Sequence, residues 1–385
     1  MPGAGLRYSN IPMLGSPEFE DEDEDSLPDV APRFRLPPAQ GRPRPAPAGR
    51  HAPQENVGGV GRTKRRMIRS YRQLAAAFTD GACCQLINLV QRHLPDRTNP
   101  PAELDKYVAR CRSLTRQQFY SQEPINGLKI EGDRLSWCCP IESGFCENNI
   151  ARARAFISNR GWSAPTVFFL HALMSASEIG YRRIAHRFNQ NGWNAVLVYL
   201  PFHYARTPAG YVNGTLALTS ELIRNAETTR QAVMETRQLL ELFRSRGADR
   251  FGLIATSYGG WTGSLLLSLE EDFEFAALLQ PLVDIEEAIW KSPAASTIRS
   301  RLRQHLIEPG VSRQHAHLSS PLDGKPLIDP RRIHLLAGEF DEIVPVRTLR
   351  RFAETWEVRN LEIVPQGHFG YVAMNRVLRK LKVLG

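Results

Sequence analysis

A serine stands at the centre of Ile254-Ala255-Thr256-Ser257-Tyr258-Gly259-Gly260, between the apolar run Phe251 to Ala255 and a helical stretch from Trp261 to Leu269. Strand, tight turn and helix therefore follow one another without a linker. A turn this sharp leaves no space for a large side chain two positions before or after the serine, and Ala255 and Gly259 occupy those positions. It lifts the hydroxyl off the strand end and aims the amide of Tyr258, at a helix N-terminus, toward it. Small-x-Ser-x-Gly alone arises often by chance, so its weight comes from two later segments. Leu336-Ala337-Gly338-Glu339-Phe340-Asp341 ends another apolar run with an acid, and Ile363-Val364-Pro365-Gln366-Gly367-His368-Phe369-Gly370 ends the last one with a histidine.

The order Ser257, Asp341, His368, each just past a strand, resembles that of the α/β-hydrolase superfamily, on its serine esterase and lipase-like branch. The resemblance covers roughly residues 127 to 385 and includes His171-Ala172 after an earlier strand, where the family usually has His-Gly. The chain departs from the family at Ala255, in place of the first glycine of the serine motif, and at Ala172. A serine hydroxyl needs a base to take its proton and an acid to hold that base in one tautomer. His368 is the candidate base and Asp341 its orienter, with Asp284, after the preceding strand, as the rival acid. The resemblance implies two oxyanion donors, the backbone amides of Tyr258 and Leu173. His171 and His203, both just past strands on the same edge, are candidate pocket-lining residues. His315 and His317 stand two apart without carboxylates at matching spacing, so no metal site is expected.

Strands alternating with helices predict an α/β fold with a mainly parallel sheet flanked by helices. Strands are expected at 166–170, 195–200, 251–255, 275–279, 333–337 and 361–364, after an antiparallel opening over 128–141 and 151–158. Long helices are expected over about 177–191 and 220–246. The stretch 285–332 exceeds an ordinary crossover and reads as a small helical cap of about two helices, 285–290 and 297–306. Residues 67–126 read as an N-terminal helical extension. One or two amphipathic helices over 67–95 would break near Gly81 and dock through Ala75, Phe78, Leu86, Leu89 and Val90, and another helix would span 102–120.

Residues 1–66 are rich in Pro, Gly and charge and poor in aliphatics, the composition of a disordered tail. Its charge is split: net −7 over residues 1–30, net +10 over 31–72, in a chain of net +9. Arg62 to Arg66 lacks interleaved aromatics and follows an acidic block, so no nucleic-acid partner is expected. No signal-like apolar segment opens the chain, and no apolar run approaches the ~18 residues of a membrane span. These features predict a cytoplasmic location. The six cysteines all precede the core, lack metal-site spacing and are expected as free, mostly buried thiols. The expected activity is cleavage of a carboxylic ester or related acyl bond in a small-molecule substrate, through an acyl-enzyme and no cofactor. An acyltransferase on the same three residues, or a non-catalytic scaffold on the same fold, are the alternatives.

Overall fold

The apolar runs become strands of a single nine-stranded sheet in the order β1-β2-β3-β5-β4-β6-β7-β8-β9. The computed structural model describes residues 58–381, with side chains from Ile68 onward; the expected disordered tail lies, up to residue 57, outside the described residues. β1 (Asn126–Glu131), β2 (Arg134–Cys138) and β3 (Ile150–Phe156) form an antiparallel edge, and β3 continues antiparallel onto β5 (Asn194–Tyr199). β4 (Thr166–Leu170), β5, β6 (Phe251–Thr256), β7 (Phe273–Leu279), β8 (Ile333–Gly338) and β9 (Asn360–Val364) are parallel. Among the described residues the α-helices are α1 (Gly58–Arg92), α2 (Pro101–Cys111), α3 (Arg116–Phe119), α4 (Ile179–Gln190), α5 (Leu222–Ser245), α6 (Tyr258–Leu267), α7 (Ile285–Lys291), α8 (Ser296–Gln304), α9 (Ala316–Ser319), α10 (Val346–Trp356) and α11 (Val372–Lys380).

Alternate side chains of a strand point to opposite faces, so continuous apolar runs fill two cores at once. Val167, Phe169, Ala195, Leu197 and Ile254 pack with Ala185 and Phe188 of α4 and Val377 of α11. Phe168, Leu170, Val196, Leu253 and Ala255 pack with Leu240 of α5, Leu265 of α6 and Phe352 of α10. Each large side chain buried in this way contributes about 1.5–3 kcal/mol. The parallel pairing aligns Leu170 with Ala255, Thr256 with Leu279, Leu279 with Leu336, and Gly338 with Val364. Whatever follows these residues is gathered at one sheet edge, where open parallel sheets hold their ligands.

The predicted cap is present between β7 and β8 as α7, α8, α9 and short 3₁₀ turns. The helix expected over 102–120 divides into α2 and α3, because Thr115 and Gln118 form a capping box that starts a new helix. Only Cys84 and Cys111 are buried among the free thiols; Cys138 and Cys146 are exposed. Cys138 faces outward because its neighbour Trp137 takes the inward position of β2.

The larger correction concerns α1. It is one helix through Gly81, begins at Gly58 within the stretch expected as tail, and docks by the opposite face. Phe78, Leu86 and Leu89 are exposed, whereas Asp80, Cys84, Asn88 and Gln91 are buried. The surface beneath is made of backbone groups that need polar partners. Gln91 Nε2 donates to the carbonyls of Thr215 (3.0 Å) and Leu218 (2.9 Å), and Asn88 Nδ2 donates to that of Pro293 (2.9 Å). Thr297 of α8 donates its amide to Asn88 Oδ1 at 2.9 Å, which ties α1 to the cap.

Beside the sheet edge, Arg206 is fully buried and makes paired bonds of 2.6 and 2.8 Å to Glu235 of α5. Removing one partner strands a buried charge, at about 3–5 kcal/mol. Glu235→Leu is therefore expected to lower the urea midpoint by that equivalent, while Glu241→Leu, at an exposed position of the same helix, leaves it nearly unchanged.

Candidate active site

Ser257 follows β6 in a backbone conformation (φ 52°, ψ −112°) that L-residues avoid. Both of its backbone groups are held. Its amide donates to Leu279 O at 2.9 Å, and its carbonyl accepts from Leu282 (2.9 Å) and Trp261 (3.1 Å). The turn also requires close approach. A Cβ on Gly259 would lie 2.3 Å from Leu170 O and 2.5 Å from His171 O, which is why the second small residue is a glycine. The Ala255 side chain is fully buried beneath Gly263, so an alanine fits at the first.

The three residues expected from sequence meet. Ser257 Oγ lies 2.7 Å from His368 Nε2, and His368 Nδ1 lies 2.7 Å from Asp341 Oδ2. The His368 side chain is 6% exposed and that of Asp341 is fully buried. With Asp341 accepting at Nδ1, the neutral ring carries its proton there and leaves Nε2 to accept from the serine hydroxyl. Burial alone pushes the His368 pKa down, but the charge and hydrogen bond of Asp341, with a smaller contribution from Asp80, outweigh it and hold the pKa above the ordinary histidine value.

Asp341 is fixed from several sides: its Oδ1 accepts from the amides of Ile343 and Val344 at 2.8 Å each, and its Oδ2 from Gln280 Nε2 at 2.6 Å. The rival, Asp284, is elsewhere engaged. It caps α7 through the Glu287 amide (2.9 Å) and pairs with Arg351. A cavity of about 420 Å³ borders Asp341 beneath the cap, with walls including Glu287, Lys291, Glu342 and Arg347. Its lining omits Ser257 and His368, so it is not the space beside the serine.

Neither amide named as an oxyanion donor, Tyr258 nor Leu173, has a protein acceptor among the described residues. The loop carrying Leu173 is pinned by the two histidines, which do not line a pocket. Both are fully buried, with ring centroids 4.6 Å apart. His203 Nε2 accepts from the Met174 amide (3.0 Å), and His171 Nε2 from the Leu200 amide (3.1 Å). Burial, and for His171 also the neighbouring His203, pushes both pKa values down, that of His203 to about 4. They are neutral rings that bridge loops.

Three residues that bond to this relay escaped the sequence. Gln280, itself at φ 46°, joins Asp341 to the Gly367 carbonyl (2.9 Å), and Gln366 bonds Gln280 in turn. Asp80 of α1 accepts from the amides of His368 (2.7 Å) and Phe369 (3.2 Å). A Cβ on Gly367 would come within 2.4 Å of the Asp80 carboxylate. Gly367 beside the histidine was the available signal, since a glycine there announces a close approach without saying from where. Gly259→Ala is expected to lower stability by ~1–3 kcal/mol through overpacking at the turn, read as a reduced thermal midpoint. Gly310→Ala, where no atom lies within 4 Å but φ is 104°, should cost less than that.

No family model matches the sequence. Two curated proteins from strains of Mycobacterium tuberculosis, both uncharacterized, are each 29% identical over 190 residues, which is 49% of this chain and 45% of theirs. The match thus spans about half the length of those relatives. Among solved structures, acetyl xylan esterase 1 from Thermoanaerobacterium superposes with a TM-score of 0.50 at 15% identity, over 78% of this chain and 98% of that one. An acetyl xylan esterase from Paenibacillus gives 0.50 at 13% identity, over 76% and 97%. With its mainly parallel sheet, flanking helices and cap before β8, the chain has the α/β-hydrolase fold.

Proposed function

We propose that this protein is a serine hydrolase that cleaves a carboxylic ester or a related acyl bond, with Ser257 as nucleophile, His368 as base and Asp341 as its orienter. The observation that carries the proposal is the unbroken relay of 2.7 Å contacts from Ser257 through His368 to Asp341. Both fold neighbours named above are acetyl xylan esterases, which fits the same reaction class. His368 Nε2 takes the hydroxyl proton as Ser257 Oγ attacks the acyl carbon, and Asp341 balances the charge that develops on the ring. The amides of Tyr258 and Leu173 receive the tetrahedral oxyanion, each contributing about 3 kcal/mol. Collapse expels the alcohol, which takes the proton from His368 and leaves an acyl-serine. Water, deprotonated by the same ring, then releases the acid. No step calls for a cofactor.

A fluorophosphonate probe should label the wild-type protein and leave Ser257→Ala unmarked; equal labelling of both would end this reading. Asp341→Asn should keep the fold and lower turnover of a small test ester by about 10⁴, the size expected when the histidine is held in the wrong tautomer. Asp284→Asn should cost under about tenfold, because its cap and ion pair lie outside the relay.

Asp80 is proposed as a positioning residue that acts through His368. Base catalysis requires the neutral ring, so activity should rise with pH through a pKa held above the ordinary histidine value. Asp80→Asn keeps one of the two acceptor oxygens for the loop amides and removes the negative charge. It should therefore move the acid limb of kcat/KM to lower pH, and lower the thermal midpoint by no more than the loss of one amide acceptor, about 1–3 kcal/mol. A limb that stays in place would leave Asp80 only a structural role.

A further inference from the structure

We propose that Asn213 is a positioning residue for the oxyanion site: through Ser175 it braces the turn that presents the Leu173 amide. The inference rests on the hydrolase reading above. Ala172 to Ser175 form a four-residue turn, closed by the Ser175 amide donating to Ala172 O at 3.3 Å. Met174, its third residue, sits at φ 55°, in the left-handed region where such turns usually place glycine or asparagine. A methionine there is strained and persists only where its surroundings over-determine it. The Leu173 amide, one residue earlier, has no protein acceptor among the described residues, so the shape of the turn must aim it.

The bracing comes from a second loop, 202–214. Asn213 Nδ2 donates to Ser175 O at 2.7 Å, and the Tyr204 hydroxyl donates to Ser175 Oγ at 2.8 Å. Asn213 Oδ1 accepts the Tyr204 amide at 2.7 Å, so one side chain holds both the turn and the turn's other partner. Tyr204 (φ 51°) and Phe202 (φ 66°) are themselves non-glycine residues in the left-handed region. What fixes them lies in the sheet and the core. The Phe202 amide donates to Asn148 Oδ1 at 2.8 Å, and the Arg206 amide donates to His203 O at 2.9 Å. Arg206 in turn is locked to Glu235 and to Tyr199 O at the end of β5. Gly214 completes the brace: a Cβ there would stand 2.8 Å from the Met174 nitrogen. Two strained segments therefore hold one another, and Asn213 is the side chain that joins them. The backbone group left free on the braced turn is the Leu173 amide.

The test compares Asn213→Asp and Asn213→Ala with the wild type, using p-nitrophenyl acetate as substrate and a trifluoromethyl ketone as inhibitor. The ketone's adduct with the serine carries its oxyanion where the amide points. The aspartate variant keeps the acceptor for Tyr204 and exchanges the donor to Ser175 for a second acceptor; the alanine variant loses both. Each should lower kcat/KM by about 10–100-fold, the cost of a misplaced oxyanion donor, and raise the inhibitor Ki by the same factor. The acid limb of the pH profile should stay in place, because His368 keeps its partners. A merely structural asparagine would lower the thermal midpoint and leave the Ki of the folded protein where it was. Unchanged kcat/KM in the folded aspartate variant would overturn the inference, as would a loss of activity at constant Ki. If neither variant folds, Tyr204→Phe decides, since it removes only the hydroxyl that bonds Ser175: kcat/KM and Ki should move together by a smaller factor, and an unmoved Ki there also overturns the inference. A wild type that fails to take the fluorophosphonate probe would end the hydrolase reading itself, and this inference with it.

Discussion

The rest of the site depends on the backbone of Ser257, held at a φ that costs about 1–3 kcal/mol. What holds it is supplied by β7 and the segment after it. Leu279, the last residue of β7, accepts the Ser257 amide, and the Leu282 amide returns to the Ser257 carbonyl. Pro281 passes so close to Gly260 that a Cβ there would meet it at 2.6 Å. Serine turn and β7 end are therefore one unit. Gln280, between the residues that clamp the serine, is itself at positive φ, and its amide goes to Leu336 of β8. Its side chain then reaches Asp341 and the loop of His368. Strain at two adjacent strand ends thus fixes the serine and the acid–histidine pair against a common edge.

The sheet and the three relay residues were legible because the physics that places them is local. Strands buried on both faces must be apolar runs, and a sharp turn must be flanked by small residues, so Phe251 to Gly260 announces itself. Asp341 and His368 follow because each comes just past such a run. Gln280, Gln366 and Asp80 were not legible. Their roles arise from closure between distant segments, 80 with 368 and 280 with 341, and polar residues at those positions carry no periodic signal. His171 and His203 were placed on the correct edge but given the wrong task. A histidine at a strand end has the same appearance in sequence whether its nitrogens face a ligand or a neighbouring amide. Here the amides of Leu200 and Met174 take them.

The misreading of α1 has a more general cause. Periodicity identifies an apolar stripe, and the usual inference is that the stripe faces the core. That inference assumes the core presents apolar side chains. The surface under α1 presents the amides of His368 and Phe369 and the carbonyls of Pro293, Thr215 and Leu218. Rolling Phe78 inward would bury two amides without acceptors, at about 1–3 kcal/mol each, and strand three carbonyls as well. That outweighs the ~1.5–3 kcal/mol from covering one phenyl ring.

The outward apolar ridge is then a consequence of the inward polar face, and both converge on one residue. Asp80 satisfies the amides of the histidine loop and adds negative charge beside His368. Two residues earlier, across the helix diameter of about 10 Å, Phe78 stands in the open. Further along, Asn88 and the carbonyls of Arg92 and Leu94, which Arg301 reaches at 3.2 and 2.7 Å, bind the same helix to the cap. Hydrogen bonds to specific backbone groups of the histidine loop and the cap fix the register of α1, which apolar packing alone would leave less defined. The polar docking of α1 is thus what lets the helix that holds the His368 loop on one side carry an exposed apolar ridge on the other.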